Sequence, residues 1–265
     1  MENFDKILDS NINNDDLSVN SEIIDRNIQI KKQLLKERRA RITIMSLLLS
    51  ALLFTVIYGT LENPFEYTFS KIGNRFDNRV LFIVWALFTG FTIQFSVIQL
   101  FRLEKYSLSK AYKYIFISTG FLISSSIAPA LEEIYPFWTW FHIITAGLFG
   151  LFITLSVTPF MRYVSKENPR LREVIKYWII IIWGGSVFWM VLLGNTGIFE
   201  LWGLGSLLVF LLYLSLTLFE EQIVKQSVKL LKGEQDLNLG IENIFVNWDK
   251  LKKKKNRKNN INKKS

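Results

Sequence analysis

The feature that most constrains this chain is a series of apolar runs, each close to the roughly 20 residues a helix needs to cross the hydrocarbon core of a bilayer. They lie at Ile42–Thr60, Val80–Phe101, Tyr112–Leu131, Phe137–Phe160, Val174–Leu193 and Ile198–Phe219. None alternates apolar with polar residues in the ten-residue segments a membrane barrel requires. Backbone polar groups cannot stay unpaired in lipid, so each run must close its hydrogen bonds as a helix. The expected fold is all-α: a polytopic membrane protein, a bundle of six transmembrane helices. Only GNTG separates the last two runs, which implies a tight helical hairpin.

Composition agrees once position is considered. The chain is 50% hydrophobic and 15% aromatic yet carries a net charge of +9. A single soluble core of this size could not hide that much apolar surface. The charge is segregated, dividing the chain into a cytoplasmic N-terminal segment (1–40), a transmembrane domain (41–219) and a cytoplasmic C-terminal part (220–265). Ser21 to Lys36 places Ile24, Ile28, Leu34 and Leu35 at spacings that suit an amphipathic helix, and Glu220 to Lys232 reads similarly. Before Ser21 and after about Lys250, disorder is expected. The opening MENFDKILDSNINNDD has no early apolar run, so no cleavable signal peptide is expected. With no cysteine in the chain, disulfides, thiolate nucleophiles and Cys-ligated metals are excluded.

Lysine and arginine set the orientation. Lys36 to Arg41 precede the first run; Arg102, Lys105, Lys110 and Lys113 follow the second; Arg162, Lys166, Arg170, Arg172 and Lys176 follow the fourth; a lysine-rich tail follows the sixth. In a six-span arrangement all fall on one side. The protein is therefore expected in the cell membrane, multi-pass, with both termini cytoplasmic. Tyr135, Trp138 and Trp140 would belong to the outer aromatic belt, and Tyr177 and Trp178 to the inner one.

The longest outer loop mixes Ser70, Asn74, Arg75, Asp77 and Arg79 with aromatic residues. Arginine grips phosphate in a bidentate manner, so such a loop suits a polar headgroup as well as it suits simple closure of the outer face. Glu132 and Glu133 end the third run, and His142, the lone histidine, lies one turn into the fourth. Together these residues form a candidate outer-face polar cluster in which Arg75 or Arg79 pairs with Glu132 or Glu133. One histidine without cysteine is a poor metal set, and no motif defines a nucleophile, so no catalytic residue, metal site or cofactor is assigned. Ser124, Ser125 and Ser126 suit interhelical hydrogen bonding, and Gln94 is the polar residue expected deepest. Lys252, Lys253, Lys254, Lys255, Arg257 and Lys258 suit contact with anionic lipid. No stacking aromatics accompany them, so no nucleic-acid partner is expected.

Ser70-Lys-Ile-Gly73, Arg79, Phe82 and Gly90, then Gly120, Pro129, Phe141-His142 and Ala146, follow one another in an order that resembles an uncharacterised bacterial family of six-helix membrane proteins, distantly similar to the Frag/DRAM/Sfk group. The resemblance covers about Glu62 to Phe160. Where that family often has an acidic residue after the serine, this chain has Lys71. The resemblance implies a six-helix fold, no established enzyme activity, and a link to lipid handling or membrane organisation. The function expected is a non-enzymatic, lipid-associated scaffold or accessory subunit, with membrane lipids and other membrane proteins as partners. The alternatives are the permease subunit of an ATP-driven exporter and, more weakly, a membrane-embedded lipid hydrolase using His142 with Glu132 or Glu133.

Overall fold

The computed structural model describes residues 14–261 and, within them, the side chains of 24–168, 171–228 and 230. All regular structure there is helical. The elements are α1 (Asn14–Gly59), α2 (Phe69–Arg75), α3 (Arg79–Leu103), α4 (Ser109–Ile127), α5 (Pro136–Glu167), α6 (Pro169–Ile179), a π-helical turn (Ile180–Gly184), α7 (Gly185–Leu193) and α8 (Gly197–Ile261). The chain forms two compact units, one made of Ala40–Glu220 and the other of the described residues on either side; α1 and α8 run through both. The α8 backbone stays helical to Ile261, past the point near Lys250 where the sequence suggested a disordered tail. The side chains of Lys252, Lys253, Lys254, Lys255, Arg257 and Lys258 lie outside the described residues.

Five segments are long and apolar enough to cross a membrane: Ile24–Gly59, Arg79–Leu103, Pro136–Glu167, Leu171–Leu193 and Gly197–Val228. This is the profile of a multi-pass membrane protein. Its surface agrees, since Phe116 and Val191 are each 81% exposed and Val80 76%, a severe cost in water and none in lipid. The sixth expected span, α4, fails on composition rather than length. Its 19 residues span about 28 Å, at ~1.5 Å per residue. They include Lys110, Lys113 and several hydroxyl residues, which lower its hydropathy.

Those hydroxyls are turned inward. Ser118 and Ser126 are buried, and the Gln94 amide of α3 donates to Ser118 Oγ at 2.9 Å while its carbonyl accepts from Thr119 Oγ1 at 3.0 Å. A buried glutamine is thus satisfied by two neighbours on one facing helix. Ser125 and Ser126 do not bridge helices through their hydroxyls, as the sequence suggested; both donate to Leu122 O within α4. The antiparallel pairing of α4 with α5 is fixed at two distant points, Ser156 Oγ donating to Ala111 O and His142 Nδ1 to Ser125 O, both at 2.8 Å.

In the unit Ala40–Glu220 the core joins α1, α3, α4, α5 and α8 through Ile44, Leu48, Ile93, Phe101, Phe160 and Leu214. The inward positions of α1 there are Arg41, Ile44, Leu48, Ala51, Thr55 and Tyr58, the alternating three- and four-residue steps of a heptad seam. In the other unit Asn27, Ile30, Leu34 and Glu37 take the same steps, and Glu37 Oε1 accepts from Gln226 Nε2 of α8 at 2.7 Å.

Candidate functional site

At the end of the Ala40–Glu220 unit that carries the 60–78 loop, four helix termini meet, and each is capped by another part of the chain. The last four carbonyls of a helix have no intrahelical partner. In α4 those are the carbonyls of Ser124 to Ile127. Ser125 O accepts from His142, on α5, and Ile127 O accepts from Arg79 Nη2, at the start of α3. A carbonyl can only accept, so His142 Nδ1 carries the proton in this bond. A cation at a helix C-terminus is also favoured by the helix dipole. Arg79 Nη1 meanwhile donates to Asn74 Oδ1 at 2.9 Å, and the guanidinium stands over the Phe82 ring, 5.6 Å from its centroid.

The loop itself is folded. An Asx turn at Asn63, whose Oδ1 accepts from Phe65 N at 3.1 Å, leads into the short helix α2, whose N-cap Thr68 accepts from Lys71 N at 3.3 Å. The first amide of α2, Phe69 N–H, donates to Glu200 Oε2 at 2.5 Å, so a carboxylate in the first turn of α8 caps a helix far away in sequence. The Pro64 carbonyl accepts in turn from Ile198 N, the second residue of α8, at 2.9 Å. Gly197 makes this approach possible, because a Cβ there would overlap the backbone oxygen of Tyr67. Gly194, at φ 72°, closes α7 in a conformation side chains disfavour.

Beneath α2 lies an aromatic well. Tyr58 stacks on Trp85 with centroids 5.0 Å apart, Phe69 meets the same indole edge-on at 4.9 Å, and Phe82 completes the cluster with Ile72. The polar handles of these rings are all used: Tyr58 Oη donates to Phe69 O at 2.9 Å and Trp85 Nε1 to Thr55 Oγ1 at 3.1 Å. Alongside the cap, a groove of about 340 Å³ opens between the end of α4 and the start of α5, walled by Ile123, Ile127, Pro129, Trp138 and Phe141.

The structure therefore brings together part of the expected polar cluster. Asn74 bridges Arg79 and the Ser70 carbonyl, the latter at 2.6 Å; Ser70 is buried beside Thr68; and His142 lies 6.0 Å from Phe82, centroid to centroid. Arg75 stays at the surface, its guanidinium 5.9 Å from the Tyr67 ring centroid. Asp77 is exposed at a positive φ of 55°. Glu132 and Glu133 are exposed, and neither pairs with Arg75 or Arg79 among the described residues. The reason is competition: the orphan carbonyl of a helix end is a nearer need than a solvated carboxylate. Sequence reasoning missed Tyr58, Phe69, Trp85 and the role of Glu200; the available signal was one acidic residue at the mouth of an otherwise apolar run.

No group of three or more His, Asp or Glu side chains among the described residues is arranged to hold a metal ion. Chemically, the arrangement provides a clasp of backbone-directed side chains with a guanidinium and an apolar groove side by side. Compared with known protein families, with characterised proteins and with solved structures, the chain matches none.

Proposed function

We propose that this chain is a six-span protein of the cell membrane, with both termini cytoplasmic, that acts as a non-enzymatic, lipid-associated scaffold or accessory subunit. The observation that carries this reading is the use made of the cap. His142 and Arg79, the residues best suited to acid–base or phosphate chemistry, spend their bonds on the carbonyls of one helix end. They stabilise a surface rather than confront a nucleophile. The sixth span is α4, long enough to cross and turned so that its hydroxyls face the bundle. The basic residues of the 103–109 and 167–176 segments favour the cytoplasm for that end. The resemblance to the Frag/DRAM/Sfk-like family points the same way, toward lipid handling.

Purification in native lipid particles, with mass spectrometry of what remains bound, tests the function. Lipid or a membrane partner retained in stoichiometric amount supports it; a retained ATPase would favour the permease. Turnover of any lipid that His142→Ala abolishes without changing stability would replace the scaffold with an enzyme. Single cysteines test the topology. Those at Asn74, Glu133 and Asn195 should react with an impermeant reagent in intact cells, and those at Lys110 and Lys166 should not. Labelling at Lys166 would overturn the six-span arrangement.

A further inference from the structure

The groove beside the cap has two properties that belong together. Its walls, Ile123, Ile127, Pro129, Trp138 and Phe141, are apolar, and its volume of about 340 Å³ suits a stretch of hydrocarbon chain rather than a whole lipid. At its rim stands Arg79, tied to the backbone of the wall residue Ile127. The partners of this guanidinium, Asn74 Oδ1 and Ile127 O, are both neutral. No carboxylate pairs with it among the described residues. A fork of five N–H donors, two of them engaged, is left with donors to spare. Trp138, 45% exposed in the groove wall and flanked by the exposed Tyr135 and Trp140, is the kind of residue that marks the depth of the headgroup region. An apolar slot opening at headgroup depth beside an unneutralised arginine has the charge and shape of one ligand class.

Resting on the lipid-associated reading above, we infer that this groove is a glycerophospholipid site: one acyl chain lies between α4 and α5, and the phosphodiester meets Arg79. The phosphate supplies the anion that the neutral partners of Arg79 lack, and the guanidinium fork matches its paired oxygens. Asn74 holds the fork from behind, and the Ile127 carbonyl fixes it at the rim, so the site is organised before lipid arrives. Recognition is of phosphate and chain; the group beyond the phosphate projects toward the exposed 131–135 turn and is not selected by Arg79.

The test compares phosphatidylcholine with a diacylglycerol of identical chains, both brominated on the chain, titrated into the full-length protein in maltoside micelles. Bromine quenches nearby indoles, and the difference between the wild-type chain and Trp138→Phe isolates Trp138 from the other tryptophans. Quenching of Trp138 should saturate at about tenfold lower mole fraction for the phospholipid, the discrimination expected of a charge-assisted hydrogen bond. Arg79→Gln should move the phospholipid curve onto that of the diacylglycerol, and Ser124→Phe, which fills the floor of the groove, should weaken both. Coincident curves in the wild-type protein would end the phosphate claim, and this comparison decides it even if Arg79→Gln does not fold. Unchanged quenching in Ser124→Phe would remove the chain from the groove. A protein that fails here yet still copurifies with lipid loses this site and keeps the general reading; one that retains neither lipid nor a membrane partner loses both.

Discussion

The two ends of the Ala40–Glu220 unit solve one problem in different ways. At the basic end, helix termini are capped by their immediate neighbours in sequence. After α3, Lys105 turns into the left-handed region at φ 52°, its N–H returns to Arg102 O at 3.2 Å, and Tyr106 N–H reaches Phe101 O at 2.8 Å, the paired bonds of a Schellman motif. Between α5 and α6, Asn168 closes one helix through its own N–H and offers Oδ1 to Leu171 N, while Pro169 needs no partner for its nitrogen. At the other end the caps are remote. Glu200 serves α2, Arg79 and His142 serve α4, and Pro64 serves α8. Local caps survive motion of one helix past another; remote caps do not. The loop end should therefore behave as one cooperative piece and the basic end as separate turns.

Substitutions can break or sharpen that contrast, all read as loss of unfolding free energy in the same detergent. The largest effect is expected at Gly197, where Ala would push backbone against backbone; a loss of about 3 kcal/mol is anticipated, with α2 becoming accessible to proteolysis. Next comes Arg79→Ala, which strands the Ile127 carbonyl and Asn74 together and should cost about 2 to 3 kcal/mol. His142→Ala strands only Ser125 O and should cost about 1 to 2 kcal/mol, and the double variant should be non-additive because both residues hold the same helix end. Asn168→Ala, a local cap, should cost about 1 kcal/mol and leave the loop end untouched. If it costs as much as Arg79→Ala, the contrast is wrong. Smallest of all, Lys105→Gly relieves a positive φ and should stabilise by about 0.5 to 1 kcal/mol.

The same contrast explains what was legible beforehand. Long apolar runs are local information, and α3, α5 and the α6–α7 arm were visible in sequence to within a few residues. Local caps such as Asn168 before Pro169 are also written in neighbouring letters. Remote caps are not. The bond from Phe69 N to Glu200 joins positions 131 apart, and nothing near either residue announces it. The polar cluster was half legible for this reason: Ser70, Asn74, Arg79 and His142 converge, whereas Glu132 and Glu133, equally polar and equally close in sequence, stay in the open. The burial of α4 was obscured because hydropathy counts a serine the same whether it meets lipid or a glutamine.

The π-helical turn at Ile180–Gly184 has a consequence for how this chain can change in length. It holds one residue more than an α-helical turn would, and the Ile181 carbonyl within it accepts from Trp202 Nε1 at 3.0 Å. Deleting one residue there would restore the regular ladder, but it would also rotate all of α7 by about 100° relative to α6. Trp189, now 6.3 Å from the Trp202 ring by centroids, would swing away. The left-handed Gly194 fixes the other end of α7, so the nine residues between are phased from both sides. Single-residue insertions and deletions in the hairpin should be far rarer in functional variants than substitutions of its exposed side chains.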